Sequence, residues 1–273
     1  MSTTTVTAEL PARRTPVPRR PRLVSAEFLK LRKRRGLVIS GLALTVLPMV
    51  VAYTVLLIVH AANPAKHGPA GGLRNFSDSM DVLTTLSGVA AILIGATLGA
   101  SDLSSGVFRE LVVTGRSRLA LFAARIPAGL ALAWAFAAAG FALTATASEV
   151  FAGSLQAPSA SLLVETAAWL ALMTGLSLVL ALGISSAVGS RGTTIGVVLG
   201  WQIVAAPLLL HIKTLGWLRE GLLGAATERL EPTALLHDPR AVPMSLVAAV
   251  IVIVAWAAVP LALGAWRTCK RDA

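Results

Sequence analysis

The chain has 273 residues, of which 55% are hydrophobic and only 14% charged. Soluble domains carry about 25% charged residues, so this composition argues against a water-soluble globular enzyme. Its net charge of +11 would suit nucleic acid in a soluble protein, and the single cysteine, Cys269, excludes an intrachain disulfide framework and any Cys-based zinc site.

Residues 1–20 are rich in Thr, Pro and Arg with no apolar period, which predicts a disordered basic tail. Residues 21–270 read as one membrane domain. Val24, Phe28 and Leu31 fall on one helical face, with Glu27, Lys30, Arg32 and Arg34 around it. That pattern predicts an amphipathic helix over 21–35, lying in the membrane interface.

Six stretches then lack Asp, Glu, Lys and Arg: 36–65, 82–101, 126–148, 166–190, 192–212 and 241–266. An α-helix needs about 20 apolar residues to cross a bilayer core, and every stretch meets that length. Backbone inside a bilayer must satisfy its own hydrogen bonds, so each reads as a helix. Allowing for edges, the spans are predicted at about 37–60, 82–101, 119–147, 165–188, 192–212 and 243–266. A signal peptide is a poor account of the first, whose apolar run and basic flank are both too long. Pro48 and Pro207 are placed to kink spans one and five. Arg125, near the start of span three, has a stem long enough to reach the headgroups.

The connectors differ. Residues 62–81 carry Pro64, Gly68, Pro69, Gly71 and Gly72 and should be irregular. In 213–240, Leu215, Leu218 and Leu222 recur at helical spacing beside Trp217, and Leu230, Leu235 and Leu236 follow. Two short amphipathic helices are predicted there, folded against the outer membrane face before the last span. Residues 101–118 read SDLSSGVFRELVVTGRSR. Thr114-Gly115 supplies a helix stop and Ser117 a cap for span three, so a short helix is predicted over roughly 106–113.

Six spans put both termini on one side. If that side is cytoplasmic, the inner segments hold 18 basic residues and the outer ones 6, as the positive-inside rule requires. The expected fold is therefore an all-α integral membrane protein with both termini in the cytoplasm. The excess charge then faces anionic lipid, not nucleic acid.

Two helices carry small-residue stripes: Ser87, Ala91, Gly95 and Gly99 on span two, and Gly192, Gly196 and Gly200 on span five. Such stripes let helix backbones approach closely, either within the chain or between chains. Gln202 is polar in the middle of span five. It either lines a path or bonds across helices, since a polar group at that depth is costly alone.

One ordered set of residues resembles a known family. A basic amphipathic start (Glu27, Lys30, Arg32) precedes span one. After span two comes acid–Gly–apolar–x–x–Leu–x–x–Thr–x–x–Ser–Arg, here Asp102, Gly106, Val107, Leu111, Thr114, Ser117 and Arg118. With the six-span layout, this is similar to the permease subunit of type-2 ABC export transporters over about residues 21–270. The family often has Glu at the place of Asp102 and Pro at the place of Gly115. The resemblance implies that 101–118 holds a coupling helix, with Asp102, Gly106, Val107, Phe108, Arg109, Glu110, Leu111, Arg116 and Arg118 meeting a separate cytosolic ATPase. It implies a connecting helix at 21–35, carried by Glu27, Lys30 and Arg32. It also implies pairing with a second permease copy, identical or related, and a path lined by spans two and five. ATP and Mg would sit on the partner ATPase and no cofactor on this chain. The cell membrane is the expected location.

The remaining chemistry is sparse. No phosphate loop follows the Gly-x-x-x-x-Gly-Lys pattern, so any ATP-driven role needs a partner and the chain itself is read as a transport subunit, not an enzyme. No serine elbow appears, which leaves an intramembrane hydrolase little support. His60, His67, His211 and His237 all fall at or beyond the outer edge; without Cys or tight spacing they read as unrelated interfacial residues, not a metal site. A non-transporting scaffold or sensor is the competing reading. The charge-free spans favour an apolar or amphipathic cargo.

Overall fold

The computed structural model describes residues 20–104, 117–236 and 240–270. The predicted tail and the predicted helix at 106–113 therefore lie outside the described residues, apart from Arg20. Among the described residues, six helical segments are long and apolar enough to cross a membrane.

Helix α1 (Arg20–Lys33) matches the predicted amphipathic helix. Its apolar face does not lie open. Leu31 is buried in a cluster with Leu37, Leu98, Leu132 and Phe136, and Phe28 packs against it. The first span is two helices, α2 (Arg35–Thr45) and α3 (Leu47–Ala62). They part at Val46, two residues before Pro48, which sits in the first turn of α3. The proline cannot donate to the preceding turn and crowds it, so the break falls where the sequence predicts a kink.

The second span, α4 (Leu73–Ser104), is 32 residues long. It starts nine residues before the predicted 82, because Asp78 and Asp81 end the charge-free stretch without ending the helix. At about 1.5 Å per residue it overshoots a bilayer core. The third span, α5 (Arg118–Val150), is capped by Ser117, whose side chain accepts from the Ala120 amide. The fourth, α6 (Ala160–Val188), is capped by Ser159 and ends at Gly189, which takes the left-handed conformation at φ +82° that suits glycine. The fifth span comprises α7 (Arg191–Leu199), a π-helical segment (Gly200–Ala205) and α8 (Ala206–His211). Two 3₁₀ turns broken at Gly216 (φ +52°, ψ −127°) within Lys213–Gly221, then α9 (Leu223–Leu230) and a 3₁₀ turn (Thr233–Leu235), follow. Of the two predicted short helices one is thus regular, and the other is interrupted at Gly216, whose positive φ glycine alone takes readily. The sixth span is α10 (Leu246–Lys270).

Spans two and four form the centre. Their apolar windows are 67% and 56% buried, against 11% for spans five and six. Glycine contacts set the close pairs. A Cβ on Gly99 would lie 2.6 Å from Ser185 Cβ, one on Gly140 would lie 2.5 Å from Thr45 O, and one on Gly183 would lie 2.5 Å from Pro260 O. These contacts join span two to four, one to three, and four to six. Ser185 Oγ also donates to Ala96 O at 2.7 Å.

The terminal end of the bundle carries the first and last described residues. There Arg118 Nη1 donates to Cys269 O at 3.0 Å, tying the start of span three to the end of span six. Arg125, expected to reach outward, is only 2% exposed. Helix α1 packs along α5, so the Arg125 head lies in protein and not among headgroups. At the loop end, irregular chain covers only 63–72 of the predicted 62–81, because 73–81 is already helix, and it is pinned. Gly71 N donates to Phe151 O at 2.8 Å and Leu73 N to Gln156 O at 2.8 Å. Tyr53 and Ser148 share a buried hydroxyl hydrogen bond beneath.

Candidate functional site: a cavity between spans two, four and five

A cavity of about 200 Å³ lies between α4, α6, the fifth span and α9. Span two contributes Thr84, Thr85, Gly88, Val89 and Ile92; span four contributes Met173 and Ser177. Span five contributes Leu199, Trp201, Gln202, Ile203, Ala206, Pro207 and Leu210, and α9 adds Leu223, Gly224 and Thr227. None of these side chains carries a formal charge.

The π-helical segment builds one wall. Ala206 N bonds back five residues to Trp201 O, which inserts one residue into the helix. Pro207 follows at once, and its ring disfavours regular helix in the turn before it. The wider turn lets neighbouring residues serve different partners. Trp201 stacks on Trp256 of span six at 5.8 Å between ring centroids. Gln202 reaches span four, where its amide and the Ser177 hydroxyl lie 3.4–3.5 Å apart in a long hydrogen bond that either side can donate. Gln202 therefore does both things the sequence left open: it lines the cavity and bonds across helices.

The polar groups are neutral and unevenly satisfied. Thr85 Oγ1 donates to Asp81 O at 3.0 Å and Thr227 Oγ1 to Leu223 O at 3.0 Å. The buried hydroxyl of Thr84 has no hydrogen-bond partner among the described residues; nor do those of Ser87 and Thr174, each within one turn of a lining residue. Buried polar groups are normally paired, so three orphans near one cavity are unusual.

Two apolar contacts border the cavity. Toward the terminal end, Ile92, Ala181 and Val198 form a buried apolar cluster, flanked by Ile184, Ile195 and Leu199. Toward the loop end, Gly224 of α9 sits on Leu210, close enough that a Cβ would fall 2.6 Å from Leu210 Cδ1. On the flank, Ile203 lines the cavity yet is 51% exposed, so the cavity reaches the outer surface of the chain there.

The other predicted residues fall in three places. Gly95 and Gly99 press on span four, with Leu178 O and Ser185 Cβ against them, and Ser87 is buried nearby. Gly192, Gly196 and Gly200 meet nothing within 4 Å, so packing within the chain does not account for that stripe. On α1, Glu27 is buried and paired with Lys30 at 2.8 Å, while Arg32 is exposed. Asp102 stands in the last turn of α4. Gly106, Val107, Phe108, Arg109, Glu110, Leu111 and Arg116 lie outside the described residues. His60 Nδ1 bonds His67 O and His211 Nδ1 bonds Pro207 O, both at 2.8 Å. His237 lies outside the described residues, and among those described no three metal-ligating side chains gather.

A family model described as ABC-2 family transporter protein matches residues 23–206. That match takes in most of α1, the first four spans and span five as far as the end of its π-helical segment. The chain belongs to the ABC-2 transporter family. No curated protein matches it. This ABC-2 protein is thus a membrane transport component, and its cavity lies where the matched region meets the unmatched helices that follow span five. Sequence reasoning found Gln202 there but missed Thr84, Ser177, Trp201 and the Ile92–Val198 contact. Hydroxyls inside apolar stretches were the only signal available.

Proposed function

We propose that this ABC-2 protein is the permease subunit of an ATP-driven exporter of apolar or amphipathic molecules. The observation that carries the reading is the cavity: uncharged, set between spans two, four and five, and reaching the flank of span five at Ile203. The terminal end is cytoplasmic, as the basic-residue count favours, in the cell membrane. A cytosolic ABC ATPase holds ATP and Mg and docks on the 101–118 loop beside α1, where buried Glu27 pairs with exposed Lys30 on the connecting helix. A second copy, identical or related, pairs through the face of span five that bears Gly192, Gly196 and Gly200. Open space above those glycines supports that assignment.

The test is co-purification with the ATPase, followed by reconstitution. Replacing Glu110 and Leu111 together by Ala should leave expression and spans intact while abolishing substrate-stimulated ATP hydrolysis. Full coupling in that double variant would remove the loop from the mechanism. Binding of a partner without any stimulated hydrolysis would favour a recruiting scaffold instead.

A further inference from the structure

We infer that the cavity selects uncharged ligands that carry a hydrogen-bonding head on an apolar tail, and rejects charged amphiphiles of the same shape. The inference rests on the permease reading of the same cavity and narrows its substrate class.

Charge exclusion follows from the lining. An ionised group buried without a counter-charge is strongly disfavoured, and no lining residue is Asp, Glu, Lys or Arg. Attraction of a neutral head follows from what is unsatisfied. Thr84 is a lining residue whose hydroxyl lies in the wall, closed to solvent and without a partner among the described residues, so a χ1 turn that presents it to a ligand breaks no existing bond. A hydroxyl both donates and accepts. Elsewhere in the lining, the Gln202–Ser177 bond is long, at 3.4–3.5 Å, so either group can be drawn to a better partner. An alcohol, ester or amide head fits these groups; a carboxylate or ammonium does not.

Size and exit fix the rest. The volume, about 200 Å³, is below the roughly 300–1,000 Å³ of drug-sized pockets, so it seats a head and part of a tail. The tail leaves past Ile203, which lines the cavity and is exposed on the flank of span five.

Trp201 provides a reporter, because it lines the cavity itself. The full chain is placed in lipid nanodiscs and its fluorescence followed with decan-1-ol, decanoate, decyltrimethylammonium and decane. Trp201→Phe in identical nanodiscs supplies the background. Decan-1-ol is expected to change the Trp201 signal at concentrations at least tenfold below either charged homologue. Thr84→Val keeps the shape and removes the hydroxyl. It should weaken decan-1-ol by about threefold to tenfold, the scale of one hydrogen bond, while leaving decane unchanged. Gln202→Leu should do the same, which keeps the test open if one variant fails to fold. Equal binding of a charged homologue, an unchanged decanol-to-decane ratio in both variants, or no Trp201 response to any probe would overturn the inference. If it falls while the Glu110/Leu111 double variant still uncouples ATP hydrolysis, the permease reading stands and only the substrate class is lost.

Discussion

Glycines at one spacing serve two ends in this chain, and only their surroundings tell them apart. Gly95 and Gly99 repeat every four residues, as do Gly192, Gly196 and Gly200. At Gly99 an added methyl would meet Ser185 Cβ at 2.6 Å and Leu182 O at 2.8 Å. Backbone cannot move aside cheaply, so Gly99→Ala should cost about 1–3 kcal/mol through overpacking. Gly196 meets nothing within 4 Å. There Gly196→Ala should be neutral, or stabilising by up to about 1 kcal/mol from helix propensity. Thermal melting of the monomer in detergent separates the two; equal shifts would show that the contact at Gly99 is softer than the distance implies. The stripes were readable in sequence because small residues recur visibly. Which neighbour each stripe meets was not, because spacing carries no information about the partner. Thr84 and Ser177 were missed for a related reason. Most hydroxyls in apolar helices bond their own backbone, as Thr45, Thr97 and Thr144 do, so nothing in their spacing marks those that do not.

At the scale of elements, absence of charge located all six spans, since an uncompensated charge is what a bilayer excludes most strongly. The same criterion cut α4 short, because Asp78 and Asp81 lie on helix that runs past the expected membrane edge. The break in span one was legible at Pro48, a residue with one mechanical consequence. The π-helical segment was not. Its six residues, GWQIVA, have no composition that distinguishes them from α-helix, and only the neighbouring Pro207 hints at strain. Yet that segment sets the site. Deleting Ile203 would remove the inserted residue and let the segment close to a regular α-helix, with Ala206 and Leu210 kept in register. The wide turn that lets Trp201 and Gln202 serve different partners should then be lost, while helix content stays as it was. The expected result is an unchanged far-ultraviolet circular dichroism spectrum with loss of the Trp201 response to decan-1-ol. A retained response would mean that the wall tolerates a regular helix, and that the π turn is a packing accommodation.

For the whole molecule, burial is lopsided. Spans two and four are enclosed, while span five is 11% buried over its apolar window and leaves Val197, Ile203, Val204 and Leu208 exposed beside the glycine stripe. Lipid can cover such a face. But lipid gives no reason for three glycines in register, each of which weakens a helix by about 0.8–1.0 kcal/mol relative to Ala. Close approach of a second backbone does give one. The cavity opens on this same face at Ile203, so a second copy seated there would close its flank and complete the path between paired chains. Gly196→Leu together with Gly200→Leu places two bulky side chains where the partner backbone would lie, in space that is empty in the single chain. The variant should therefore fold and melt as the parent does. Its particle mass in mild detergent should fall from two copies to one, and transport with the ATPase should be lost with it. A variant that stays paired, or a parent chain that is already single at the same concentration, would assign this face to lipid and require the pairing surface to lie elsewhere.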